Sequence, residues 1–591
     1  MKMRISLLLC LLAMLPSVVC SQELNVRRGD CTPHFAESVE TVPLPAGRPM
    51  RLPSVSTKWD STRVYRQAVI LVSFADTDFH LENPRETYDS MFNHPGYNQR
   101  QGPGCVAEYF REQSGGLFNV AFDVYGPIKV SSKAQPYDNP TSSTHNYGRE
   151  VFREATKYAI DSMMVDFSPY DWNDNGVVNQ VIYVCAGLSG NQNAKASYGY
   201  VWPNTSSFST INADGKRISN YTASCELWAN GASCGIGTII HEFTHSLGLP
   251  DIYPTTSSAG YSVMDEWDLM DGGNFINYGW CPPSYTPTEK MLLGWLTPVE
   301  IGSVPQTVRD LKPLADGGQV IQVKHTDSEY LLLENRQQTG WDMGVPGKGL
   351  LIYHVDYSAS EWSGNTVNNN KNKRRFELVH ADNMDYDQWY DYVSSWEKPK
   401  QYANSYRMNS NLLSTSPYPW TTDSTAFVND SLTNNSVPAA KMNNKNSEES
   451  DMLSRSITNI RQNSDGSITF DFMADVAKCA TPTISYENGR IRFACETEGV
   501  KFVSKVSAAN AVESEAEEVA LGTVYTVSVY AVAEGYADSD TVTATLTWSA
   551  GKMTGENIDM KTDDHTEGDV NKDGTVDVAD ISAVISIMAS E

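Results

Sequence analysis

Between Gly237 and Asp251 the chain reads Gly-Thr-Ile-Ile-His-Glu-Phe-Thr-His-Ser-Leu-Gly-Leu-Pro-Asp, and no other stretch constrains its folding as strongly. Ile236, Ile239, Ile240, Phe243 and Leu247 recur at helical spacing, which predicts a helix with one buried face. On such a helix His241 and His245 stand one turn apart on the same side, where two imidazole nitrogens reach one Zn²⁺ at roughly 2.0–2.1 Å. Glu242, adjacent and not coordinating, is then placed to accept a proton from the water that zinc activates. A catalytic zinc needs a third protein ligand and one open position, so the chain after His245 has to turn back toward the metal. Gly248 permits that turn.

The stretch His241 to Asp251 matches the extended metzincin pattern, in which the helix breaks at a Gly three residues past the second His and a third ligand follows three residues later. Here that place holds Asp251 instead of His. A carboxylate oxygen is an acceptable zinc ligand, so the change alters the electronics more than the geometry. Glu266, 21 residues after His245, is the competing third ligand on a thermolysin-like plan. Trp267-Asp268-Leu269-Met270-Asp271-Gly272-Gly273 puts Met270 in a Gly-containing turn, as a Met-turn would, where it is a hydrophobic floor and not a ligand. Taken alone, Met270 is explained as well by a plain core position. Two solvated helix histidines are the bland alternative for the motif, and the apolar periodicity, the Gly248 break and Asp251 weigh against it.

These pieces resemble the immune inhibitor A-like family of bacterial metallopeptidases. The resemblance is carried by Ala68 to Phe74, Tyr109 to Gly116, His241 to Tyr253, Trp267 to Gly273, Lys290 to Leu296 and Tyr330 to Asp356, over roughly residues 60 to 475. It implies a metzincin-like catalytic domain that cleaves proteins, with His241, His245 and Asp251 as zinc ligands and Glu242 catalytic.

With 591 residues the chain exceeds what one core supports, so a multidomain α/β plus β architecture is expected. Residues 1–21 have the charged start, apolar run and small-residue end of a signal peptide, which implies export. A lipobox-like reading with Cys20 lipidated, giving a cell-surface lipoprotein, is the alternative. Residues 22–61 read as a pro-segment or lead-in, in which Asp30 and Cys31 are candidates to block the zinc until cleavage. A mixed α/β catalytic domain is drawn over 62–300, a β-rich domain over 301–475, a β-sandwich module over 476–550, a polar linker over 551–567 and a dockerin-like segment over 568–591. No later stretch reaches the roughly 18 apolar residues of a membrane span. The 72 acidic residues against 45 basic, a net charge of -27 without a basic block, argue against nucleic acid as a partner. Of the eight cysteines past the signal, Cys225 with Cys234 and Cys479 with Cys495 are near neighbours, but sequence alone does not assign pairs.

Two loops suggest Ca²⁺. In the tail, Asp569, Asn571, Asp573, the Thr575 carbonyl, Asp577 and Asp580 occupy positions 1, 3, 5, 7, 9 and 12 of a calcium loop with Gly574 at the sharp turn. It resembles one half of a dockerin, which implies a cohesin-like or cell-surface partner, although a full dockerin has two such loops. Upstream, Asp171, Asn173 and Asn175 start a similar loop that lacks its last acidic residue, and solvated Asx turns explain it equally well. The function expected from the whole is a secreted zinc endopeptidase acting on extracellular proteins or peptides. Its competitors are an inactive zinc domain that binds through the β modules and tail, and a zinc hydrolase of non-protein substrates; the intact Glu242 argues against the first.

Overall fold

The apolar run Ala68-Val69-Ile70-Leu71-Val72 forms the centre of a strand, β1 (Val64–Ser73), buried on both faces. The computed structural model describes residues 59–135, 147–190, 201–228, 231–256, 263–302, 304–385, 413–421, 428–473, 477–487, 489–515, 518–533, 536, 538–549, 552–561, 578–579 and 581–582. Alternate side chains of β1 serve two cores, Val69 and Leu71 one and Ala68, Ile70 and Val72 the other. A continuous apolar run is what a strand covered on both sides requires.

β1 lies in a five-stranded sheet with β2 (Asn119–Lys129), β3 (Val181–Leu188), β4 (Asn204–Ala213) and β5 (Lys216–Leu227), in the order β2-β1-β3-β5-β4. The first four strands in that order run parallel, and β4 pairs antiparallel with β5 to form an edge. Helices α1 (Pro84–Asn93), α2 (Val106–Gln113) and α4 (Gly237–Leu247) contribute Phe92, Phe110 and Phe243 to one core, whereas α3 (Tyr147–Asp161) contributes Phe152 to the other. The chain leaves α2 through Gly115 and Gly116, at φ 61° and 82°, where a side chain would be strained.

Helix α4 is fixed at both ends by glycine. A Cβ on Gly237 would sit 2.1 Å from the Asn274 carbonyl oxygen, so the helix start rests directly on the chain at 274. Gly248 takes φ 109°, a left-handed cap that a side chain would strain. Between them Phe243 is fully buried, edge-on to Phe110, Phe122 and Trp172.

The boundary drawn at residue 300 needs correction. A second sheet, built from 376–378, 349–356, 329–336, 321–324 and 299–300 in that order, sends Leu332, Leu351, Tyr353, Val355 and Phe376 into the same core as α4. Among the described residues, those within 59–302, 309–454 and 459–469 form one compact unit, and those within 304–308, 455–458 and 470–582 form another. The polar linker expected over 551–567 is corrected too. Strand Lys552–Glu556 pairs with Val542–Ser549, and Asp559–Lys561 pairs with Thr483–Glu487. They are short and largely exposed strands, so the composition reads as linker while the backbone is in sheet. In this second unit the antiparallel pairs 483–487 with 490–494 and 501–515 with 518–532 surround a small core of Ile484, Val527, Val529 and Ala544. Among the described residues, Cys225, Cys479 and Cys495 carry free thiols. Among the described residues no helix is long and apolar enough to cross a membrane. The signal, the segment before residue 59 and the tail loop 569–577 with Asp580 lie outside the described residues.

Packing of α4 sets the stability of the larger unit. Phe243→Ala should cost about 3–5 kcal/mol in its urea unfolding transition, the range for a buried aromatic, whereas Tyr158→Ala, at a half-exposed position, should change it by less than ~0.5 kcal/mol. Similar costs for both would contradict this packing.

Candidate metal centre

The α4 face that is not spent on Phe243 carries His241 and His245, whose rings lie 4.9 Å apart at 85°. Both Nδ1 atoms meet backbone carbonyls, His241 at 2.9 Å from Leu269 and His245 at 2.8 Å from Leu249. A carbonyl can only accept, so each Nδ1 carries the proton and each Nε2 is the free ligand atom. After the Gly248 cap the chain reverses and delivers Asp251, whose Oδ1 lies 3.2 Å from both Nε2 atoms. Ligand atoms of these three residues all fall within 4.8 Å of one another.

Asp251 Oδ1 is buried and has no well-formed hydrogen bond. Its other oxygen, Oδ2, accepts from Asn365 Nδ2 at 2.8 Å. An orphaned carboxylate oxygen between two imidazole nitrogens is a donor set that fits a divalent zinc ion: two nitrogens and one oxygen, with a fourth position left to water or substrate. The charges agree. Burial opposes a proton on His245, but Asp251 and Glu242 outweigh it and lift the imidazole to about 9. Burial would raise Asp251, and the two histidines more than reverse it, holding the carboxyl well below its usual range. Both shifts have one cause, the attraction between the Asp251 carboxylate and the imidazoles it faces.

Glu242 is buried beside this cluster, and burial raises its carboxyl above the ordinary value, with the two histidines and Thr205 offsetting part of the shift. Two strand hydroxyls reach the helix at this residue. Thr205 Oγ1 on β4 lies 3.3 Å from Glu242 Oε2, and Thr222 Oγ1 on β5 donates to the Glu242 carbonyl at 3.2 Å. The phenol of Tyr253 is kept protonated by burial first, then by the Asp251 and Glu242 charges.

Met270 is fully buried in a turn that supports the centre through its backbone. Its N–H donates to Asp268 Oδ1 at 2.6 Å and its carbonyl accepts from Ile252 N at 2.9 Å, while the preceding carbonyl holds His241. Asp271 Oδ2 caps the approach to the turn, accepting from Met264 N and Asp265 N at 3.0 Å each. Arg336, from the second sheet, donates to the Trp267 carbonyl at 3.1 Å. Glu266 sits in the short 3-10 turn Asp265–Trp267 and is not among the residues that converge with His241 and His245.

The upstream calcium reading gains no support. Asp171 Oδ2 is 2.8 Å from the Lys216 ammonium and also accepts from Gly176 N at 2.7 Å, while Asp171 Oδ1 accepts from Asn175 N at 3.1 Å. Asn175 Oδ1 accepts from Val177 N at 2.9 Å, and Asn173 is exposed. The loop's oxygens are engaged by turn amides and by the Lys216 ammonium, the contacts of an Asx turn. Sequence gave no sign of Lys216, because it lies on another strand 45 residues away. The donors Thr205, Thr222, Arg336 and Asn365 were equally illegible, since no local pattern links them to the helix.

Residues 190–291 match the model of the Immune inhibitor A peptidase M6 catalytic domain, a range that holds both histidines, Glu242, Asp251 and Met270. Two relatives are similar over a longer stretch. Immune inhibitor A of Bacillus thuringiensis subsp. alesti is 25% identical over 270 residues, covering 38% of this chain and 38% of that protein. Pre-pro-metalloprotease PrtV of Vibrio cholerae serotype O1 (strain M66-2) is 21% identical over 264 residues, covering 40% of this chain and 28% of that protein. The chain thus spans well under half the length of the curated relatives it matches.

The geometry makes a direct forecast for metal content. Asp251→Ala should lower bound zinc at least tenfold under limiting metal, because it removes one of the three converging side chains, whereas Glu266→Ala should leave zinc near the parent level. Elemental analysis of the purified variants decides it, and the reverse order would favour the thermolysin-like ligand set.

Proposed function

We propose that this chain, which is joined to the immune inhibitor A-like metallopeptidases through its residues 190–291, is a secreted zinc-dependent endopeptidase that hydrolyses peptide bonds of extracellular proteins. The observation that carries this reading is Asp251 Oδ1 standing 3.2 Å from the Nε2 atoms of both His241 and His245, beside a buried Glu242. His241, His245 and Asp251 would hold the ion on a metzincin-like plan. When bound, zinc supplies Lewis acidity that polarises a carbonyl and brings the pKa of water down to about 7.

The chain's own residues do the rest. Leu269 and Leu249 fix the histidine tautomers through their carbonyls. Glu242 takes the proton from the attacking water and returns it to the leaving amine, a role served by a carboxyl raised toward the working pH. Thr205, on the edge strand, donates to the Glu242 backbone carbonyl at 2.5 Å and so holds the residue in place beside the metal ligands. The sequence supports two further parts of the reading: residues 1–21 for export, and the oxygen donors Asp569, Asn571, Asp573, Thr575, Asp577 and Asp580 for a dockerin-like calcium loop.

Glu242→Gln keeps the ligands and removes the proton acceptor. It should retain parent zinc content and lose roughly 10²–10⁴-fold or more of its casein cleavage. A chelator should abolish cleavage by the parent chain and added zinc should restore it. Full activity in the purified Glu242→Gln chain would contradict the mechanism.

A further inference from the structure

The Asn-rich stretch after residue 363 lies far from the zinc motif in sequence, yet it contacts Asp251 directly. Asn365 Oδ1 accepts from the Asp251 backbone N at 2.7 Å, and Asn365 Nδ2 donates to Asp251 Oδ2 at 2.8 Å. One amide thus holds both ends of one aspartate. The assignment of its two atoms is forced, since a backbone N–H can only donate and therefore faces Oδ1.

Neighbouring contacts bind the two loops together. Thr255 Oγ1 donates to the Asn365 carbonyl at 2.6 Å, Thr255 N donates to Asn369 Oδ1 at 2.7 Å, and Asn368 Nδ2 donates to the Ile252 carbonyl at 2.9 Å. Asn368 is fully buried and also takes the N–H groups of Arg375 and Phe376 at 2.9 and 3.2 Å, which anchors the stretch to the second sheet. At its other end Trp362 is 2% exposed. Asn365 itself has φ 55°, a left-handed conformation that Asn, Asp and Gly tolerate.

We propose that Asn365 is the positioning residue of the metal centre: it aims Asp251 Oδ1 at the two imidazoles and occupies Oδ2, so that Asp251 binds through one oxygen. This rests on the zinc-site reading above. It places a determinant of the metal centre more than a hundred residues beyond the ligand motif, outside 190–291. A carboxylate free of this bond could rotate about its own side-chain torsions, and holding ligands against such rotation is how outer-shell partners raise metal affinity.

The test uses the full chain stripped of metal and titrated with zinc against a chromophoric chelator, with cobalt substitution as a second readout. Asn365→Gly keeps the backbone conformation and removes the amide. Asn365→Asp, nearly isosteric, keeps the acceptor for the Asp251 N–H and replaces the donor by an oxygen that repels Oδ2. Asn372→Ala, at an exposed position in the same stretch, is the control. Both Asn365 variants should lose roughly 10–100-fold in zinc affinity, with an altered cobalt d–d spectrum, while the metal-free chain still unfolds in one cooperative transition at a somewhat lower temperature because the bonds to Asp251 are lost. Asn372→Ala should match the parent. If Asn365→Gly does not fold, Asn365→Asp carries the test alone. Parent affinity and parent cobalt spectrum in the Asn365 variants would overturn the proposal while leaving the zinc site standing; a parent chain that binds no zinc would instead overturn the reading on which it rests.

Discussion

A buried carboxylate facing two buried imidazoles is unstable in a protein interior unless positive charge balances it and every remaining lone pair is used. Asp251 meets the second requirement at Oδ2 and leaves Oδ1 aimed between His241 and His245. The rest of the larger unit can be understood as what keeps that arrangement in place. Gly248 supplies the left-handed cap that reverses the chain, the Leu269 and Leu249 carbonyls orient the rings, and the buried face of α4 ties the helix to the sheet.

The support comes from three places in the chain. The parallel sheet contributes Thr205 and Thr222 at Glu242, the turn before residue 273 contributes a carbonyl to His241, and the stretch from 365 to 369 grips the Asp251 loop. Arg336, almost fully buried, bonds to the turn from the second sheet. Its guanidinium is compensated by Glu334 at 3.0 Å, so the charge needed to brace the turn is not left alone. The catalytic framework therefore ends well after residue 300, although the sequence match to the peptidase family ends at 291.

What sequence could reveal was local. His241, Glu242, His245, Gly248 and Asp251 lie within eleven consecutive positions, so helical spacing and one glycine suffice to bring them together. The boundary at 300 failed because a strand's apolar pattern says that one face is buried and not which core it joins; Tyr353 and Phe376 look the same in a separate module or in this one. Residues 552–561 were misread because exposed strands carry a linker's composition. The Lys216 ammonium beside Asp171 was illegible because folding alone brings the two together.

The central claim is that His241, His245 and Asp251 hold one zinc ion. Diffraction data collected on either side of the zinc absorption edge from crystals of the purified chain test it most directly. The account predicts one anomalous peak in the catalytic unit, bound by both Nε2 atoms and by a single Asp251 oxygen at roughly 2.0–2.2 Å. A peak ligated by Glu266 in place of Asp251, or zinc-saturated crystals with no peak between the two histidines, would contradict it.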